Sequence, residues 1–217
     1  HRMIASNTTK TGPGFWVRVT VQYNLFAGTI LALGSQSHLS QLQDIQFKGL
    51  LGCFNLTEYF AGVNSGLVIN TTAEWNNVEQ NFTINTPNKH FAKNWISQGL
   101  VADKTVIIAN LIVNQVSHGP HAFLIDMRIN GNLVSGINIV DMGSKTVGND
   151  LDNARITFTN LIVSKDSLLN KYADIINNKY VLEDDAITPF MMIGQRLFSG
   201  RIAVAQAALE FRRTLFN

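Results

Sequence analysis

Residues 105–113 read TVIIANLIV, and Asn110 is the only strongly polar side chain after Thr105. A strand with one wet face alternates polar and apolar residues, whereas this run is apolar and β-branched almost throughout. It therefore predicts a strand covered on both faces, at the centre of a β-rich region. Further short β-branched runs lie on either side, broken by Asn, Gly and Pro. Leu67–Trp75, Asn81–Thr86, His121–Ile129, Gly136–Asp141 and Arg155–Val163 all read as strands. Asn76-Asn77 sits where a hairpin turn would join the first two. Many short strands at fairly regular spacing predict an antiparallel barrel or sandwich.

Outside this block the period changes. From Phe15 to Leu33 apolar residues recur with helical spacing, Val17, Val21, Leu25 and Gly28 sharing a face, after a break at Gly12-Pro13-Gly14. Gly34 ends that helix, and Ser35 offers an N-cap for a second one running to about Gln43. Helical spacing returns at Ser167–Tyr172, a polar loop follows through Asp184-Asp185, and Phe190–Phe216 predicts a long helix free of internal proline. Helices, then strands, then a helix make the chain α+β. The divisions expected are 1–48, the end of an N-terminal helical domain; 49–183, a central β-domain; and 184–217, the first helix of a C-terminal helical domain.

Composition narrows the function. A net charge of +2 over 217 residues, without a Lys/Arg run, argues against a nucleic-acid groove. No apolar stretch reaches the roughly 20 residues that a membrane-spanning helix needs. Cys53 is the single cysteine, so neither an intrachain disulfide nor a cysteine-based metal site is signalled. Asn-x-Thr triplets at Asn7, Asn55, Asn70 and Asn81 would matter only in a secreted chain. His118 and His121 flank a Gly-Pro pair, but two histidines without a third ligand make a weak metal signal, and a structural role is expected. P-loop and GxGxxG fingerprints are missing from the sequence.

Five segments carry a resemblance in colinear order: VQYNLFAGTILAL at 21–33, LTEYFAGVNSG at 56–66, KNWISQGLVAD at 93–103, HGPHAFLIDMR at 118–128 and GNDLDNARITFTNLIVSKDSLL at 148–169. They resemble the stretch of the acyl-CoA oxidase and dehydrogenase superfamily that leads from its N-terminal helices through its flavin-binding β-domain. The second segment is similar to the family's TE motif, the third to KxWITNGxxAD, the fourth to GxHAFxVxxR and the fifth to GxxxDNxxxxFxN. The resemblance implies FAD as cofactor and a fatty acyl-CoA as substrate, dehydrogenated to a 2-enoyl-CoA. It also implies a peroxisomal setting, with mitochondrial or cytoplasmic alternatives, and a homodimer formed through a C-terminal helical domain.

Carried over by position, the resemblance gives Thr57 the flavin pyrimidine edge, with a backbone contact from Leu56. Trp95 becomes a wall against the ring, Ser97 a hydroxyl at N5, and Gly62 a close approach to the pyrophosphate or CoA end. The family's catalytic glutamate lies in the C-terminal domain, so no catalytic residue is expected here, and Glu58 is expected to be structural. Two departures stand out: Val63 replaces a small polar residue, and Tyr59-Phe60 replaces the usual pair after the TE motif. They keep open an alternative, a non-catalytic binding or scaffold module built on the same fold. Arg212-Arg213 stands out of register with the family's flavin-contacting arginines and is expected on a solvated helix face.

Overall fold

The computed structural model describes residues 11–183 and 188–216. The Asn7 triplet and Asp184-Asp185 lie outside the described residues. Helix α1 (Pro13–Thr20) starts with proline in its first turn, where the missing N–H costs nothing. It passes without a break into a widened π segment, Val21–Ala27, and on into α2 (Gly28–Leu33). Helix α3 (Gln36–Phe47) begins at Ser35, whose N–H donates to Nδ1 of His38, 3.2 Å away. The far ring nitrogen of His38 lies 2.9 Å from the Asp166 carbonyl. That oxygen only accepts, so the ring carries its proton on Nε2 and ties the helix start to the β-region.

The strands follow as β1 (Gly52–Asn55), β2 (Thr72–Asn76), β3 (Asn81–Asn85), β4 (Lys93–Ser97), β5 (Lys104–Val113), β6 (Val116–Asp126), β7 (Arg128–Ile129), β8 (Asn132–Leu133), β9 (Ile137–Asp141), β10 (Asn153–Phe158), β11 (Leu161–Ser164), β12 (Ala173–Ile176) and β13 (Lys179–Leu182). Helix α4 (Pro189–Phe216) closes the described chain.

Strand β5 is the hub. One edge pairs antiparallel with β6, while the other takes β1 and then β2, both parallel, and the sheet continues through β3 to β11. The sheet is mixed, which corrects the expectation of purely antiparallel pairing. Parallel neighbours need long connections, and here helical turns and the second sheet supply them. That second sheet is β4-β10-β9, antiparallel throughout.

Side chains alternate along β5 as a doubly covered strand requires. Val106 and Ile108 join Phe26, Ile30 and Leu33 of the helical layer, while Ile107, Ala109 and Leu111 join Phe82, Ile96, Phe123 and Ile156 between the two sheets. Gly52 lets the helical layer come this close: a Cβ there would stand 2.2 Å from the Phe26 ring.

Four expectations change. The run Arg155–Val163 is not one strand. It breaks at Asn160, at φ 47°, so that β10 belongs to the small sheet and β11 to the large one. Residues 167–172 are not helical: a 3-10 turn at Lys165–Ser167 ends there. The stretch that reads as polar loop holds the hairpin β12–β13, turned at Asn177 and Asn178, both at positive φ. Strand β2 also starts at Thr72 rather than Leu67. The result is an α+β fold in which a curled mixed sheet carries few helices.

Candidate functional site

Glu58 follows β1 and faces Lys93 at the start of β4, across an isolated bridge. Their side chains meet at 3.1 Å, both essentially inaccessible to solvent. Every proton of the ammonium has an acceptor, because Lys93 Nζ also donates to the carbonyls of Leu56 (3.1 Å) and Ile108 (2.7 Å). The Glu58 carboxylate further accepts from the backbone N–H groups of Asn70 and Thr71. Burial pushes the Glu58 carboxyl up, but the Lys93 charge and these N–H donors outweigh it and hold it below its ordinary value. Burial pulls Lys93 down to about 8, against the opposing Glu58 charge. Glu58 is thus structural, a buried post that locks the chain after β1 to β4.

That lock sets the rest of β4. Opposite it β10 skips a register, Ala154 pairing with Ile96 and Ile156 with Lys93, so Asn94 and Trp95 form a bulge. Trp95 takes φ 59°, a conformation that costs a non-glycine residue free energy. The bulge turns the indole outward, 55% exposed, while Ile96 stays in the core.

A cleft of about 130 Å³ opens here, walled by Leu56, Thr57, Asn94, Trp95 and Ser97 on the sheet side and by Val21, Leu25 and Leu197 on the helical side. Ser97, Val21, Leu25 and Leu197 also line a larger neighbouring cleft that reaches Trp16, Arg201 and Val204. The π segment supplies Val21 and Leu25, so the widened turn forms part of the wall. Four of the five residues singled out by sequence therefore meet in one place. Gly62 does not: it sits in an exposed 3-10 turn at φ 50°, with nothing within 4 Å of where a Cβ would be. The Val63 side chain lies outside what is described.

The polar groups of the cleft have defined partners. Thr57 Oγ1 lies 2.6 Å from Ser65 Oγ, so one hydroxyl of this pair keeps a free proton. The Leu56 carbonyl is turned inward to Lys93. Ser97 Oγ lies 3.3 Å from the amide nitrogen of Asn153. Arg155 Nε donates to Asn94 Oδ1 at 3.0 Å, and its guanidinium stands 4.5 Å over the Tyr59 ring. Tyr59 stacks on Phe60 and Phe60 on His90, so these aromatics fill one another's faces. Ser65, Asn153 and Arg155 escape the sequence reading. Asn153 and Arg155 fall inside the DNxxxxFxN segment and Ser65 inside LTEYFAGVNSG at 56–66, and membership of these segments is the available signal.

With apolar walls, a flat exposed indole and hydroxyl donors at its edge, the cleft suits a planar heteroaromatic ligand. No protein-family model matches the chain. Among curated proteins it is 32% identical over 196 residues to the human peroxisomal acyl-coenzyme A oxidase 3, covering 85% of this chain and 27% of the relative. The chain belongs to the acyl-CoA oxidase family. Among solved structures, acyl-CoA oxidase 1 of Yarrowia lipolytica matches with a TM-score of 0.79 at 26% identity, over 89% of this chain and 28% of that one. Acyl-CoA oxidase-2 of Caenorhabditis elegans, solved with FAD, ascaroside-CoA and ATP, matches in fold, with a TM-score of 0.71 at 24% identity over 81% of this chain and 27% of that one. The chain thus spans between a quarter and a third of the length of these acyl-CoA oxidases.

Other candidates take structural places. His121 Nδ1 faces the Gly119 carbonyl at 3.0 Å and must donate, so Nε2 accepts from the Tyr180 hydroxyl at 3.1 Å. His118 stacks on the same tyrosine. Among the described residues no group of three or more His, Cys, Asp or Glu side chains could hold a metal ion. Burial pushes the Cys53 thiol up to about 12, which removes it as a nucleophile. Asn55 is buried and donates to Thr105 Oγ1, so it cannot carry a glycan in the folded chain. Arg212 and Arg213 are exposed on α4, and Arg213 pairs with Glu210 at 2.7 Å. Among the described residues, no helix is long and apolar enough to cross a membrane.

Proposed function

We propose that this chain is the flavin-facing part of an FAD-dependent acyl-CoA oxidase that converts fatty acyl-CoA to 2-enoyl-CoA. The observation that carries the reading is the convergence of Thr57, Trp95 and Ser97 on one cleft beside the bulge in β4. Thr57, with Ser65 behind it, meets the pyrimidine edge. The Trp95 indole forms the wall against the ring, and the Ser97 hydroxyl donates at N5. Leu56 lines the cleft floor. Gly62 lies apart from this cleft, and its assignment is to the distal phosphate end, where its open surroundings leave room for backbone approach. When bound, FAD would accept the hydride lost from the acyl β-carbon. The chain's own residues bind, orient and shield that ring, and α-proton removal falls to a carboxylate outside these 217 residues.

The same reading extends to the setting. The β-region at 49–183 acts as one barrel- or sandwich-like domain, and the flanking segments 1–48 and 184–217 are assigned to helical domains. The substrate partner is a fatty acyl-CoA, the assembly is a homodimer formed through helices beyond this segment, and the location is peroxisomal. The name of the human relative supports the peroxisomal location, and the FAD and ascaroside-CoA bound to the worm enzyme support the cofactor and an acyl-CoA class of substrate.

The test is the visible spectrum of the purified full-length protein. A flavin band bleached anaerobically by acyl-CoA is the expected result. A colourless protein that takes up no added FAD overturns the enzyme reading in favour of a non-catalytic module. The self-stacked Tyr59, Phe60 and His90 are the observation that favours this second reading, because they fill ring faces that a ligand could otherwise use.

A further inference from the structure

Asn153 opens β10 directly opposite Ser97, with its side chain largely buried. Its Nδ2 lies 3.3 Å from the Trp95 carbonyl oxygen and 3.3 Å from Ser97 Oγ. A carbonyl oxygen can only accept, so the atom facing Trp95 must be the amide nitrogen, and the orientation of the amide is settled. The same nitrogen carries a second proton, and that one goes to Ser97. The serine oxygen is therefore an acceptor in this contact, and its own proton is left over. Among the described residues that proton has no acceptor, and Ser97 lines both adjoining clefts.

We propose that Asn153 is a positioning residue that sets the polarity of the Ser97 hydroxyl, fixing it as a hydrogen-bond donor into the cleft. An unrestrained serine hydroxyl can rotate to accept or donate. By occupying one lone pair, Asn153 fixes one side of the oxygen before any ligand arrives and favours the rotamers that turn the proton toward the cleft, and the same amide holds the strained Trp95 bulge. Preorganised donors act without reorganising at the moment of reaction, which is why their removal is costly. The inference rests on the flavin reading above, with Ser97 donating to the N5 edge, and it adds Asn153 as the residue that favours this donation.

The experiment uses the full-length protein loaded with FAD, in wild type, Asn153→Ala, Asn153→Asp, Ser97→Ala and Asn153→Ala/Ser97→Ala forms. In Asn153→Asp the carboxylate can only accept, so it captures the serine proton and reverses the hydroxyl. The midpoint potential of the bound flavin is expected to fall in Asn153→Asp and Ser97→Ala alike. Anaerobic reduction by acyl-CoA is expected to slow by roughly tenfold or more. Asn153→Ala is expected to shift the potential in the same direction by less, and to add almost nothing once Ser97 is already alanine. If Asn153→Ala shifts the potential equally with and without the Ser97 hydroxyl, the asparagine acts only through Trp95 or the fold, and the proposal is overturned. Should Asn153→Asp fail to fold, the alanine pair alone decides between these outcomes. A wild type that takes up no flavin overturns the flavin reading and this inference with it, whereas additive effects in flavin-loaded variants overturn this inference alone.

Discussion

The ammonium of Lys93 lies 3.1 Å from the carboxylate of Glu58 in a space that water does not reach, and its other two protons go to the Leu56 and Ile108 carbonyls. This contact joins the residue before Thr57, the acidic partner after it, and the strand that carries Trp95 and Ser97. It therefore fixes the cleft's sheet-side wall from behind.

Lys93→Met is expected to destabilise the fold by roughly 3 kcal/mol, because it leaves the Glu58 carboxylate and two carbonyls without their cation. Urea unfolding of the variant measures it. Glu58→Gln with Lys93→Met is expected to recover part of the loss, since no buried charge then remains. A single variant as stable as wild type would show that the ion pair contributes nothing.

Acid should unfold the chain in two stages. His121 is buried, and that burial pulls its imidazole down to about 4, against the Gly119 carbonyl that favours the charged form. The unfolded chain binds this proton first, at about 6.5, so stability is complete above that pH and declines as pH falls toward 4. The loss amounts to about 3 kcal/mol at most. Glu58 is likewise held below its ordinary value, so its contribution is present above about 4.5 and is lost on further acidification. Urea midpoints at pH 7, 5.5, 4.5 and 3.5 test this, and His121→Gln should flatten only the upper stage.

Gly52→Ala is expected to cost about 2 kcal/mol or more, because the new methyl would enter the Phe26 ring at 2.2 Å and push the π segment off β1. Since Val21 and Leu25 of that segment wall the cleft, flavin retention should fall along with the melting temperature. Phe26→Leu in the same background should restore part of both.

How much of this the sequence carries depends on range. Strand β5 is legible because burial on both faces removes its alternation, and α4 because one face repeats over 28 residues. The parallel docking of β1 and β2 on β5 is not legible, since no local pattern encodes which edge a strand joins. The hairpin β12–β13 is too short and too polar at its Asn177-Asn178 turn to stand out. At the site, Thr57, Trp95 and Ser97 come from motif resemblance. Ser65 and Asn153 matter through hydrogen bonds made 8 and 56 positions along the chain, which composition and spacing do not record.

Trp95 gives the sharpest separation of stability from function. Its φ of 59° suits glycine, and a strained conformation of this kind persists only where the surroundings impose it. In an ordinary strand, glycine is less stable than alanine by roughly 0.5–1 kcal/mol. At position 95 the order should reverse, with Trp95→Gly more stable than Trp95→Ala by about 1 kcal/mol, because alanine keeps the positive-φ cost and glycine removes it. Both variants discard the indole, so both should hold FAD more weakly, as read from the quenching of added flavin fluorescence. If alanine proves the more stable, the bulge relaxes when the indole leaves, and the strain belongs to the side chain's packing rather than to the register between Lys93 and Ile156. If glycine proves more stable yet binds flavin as wild type does, the exposed indole is not the wall of the site, and the strain at this position has another cause.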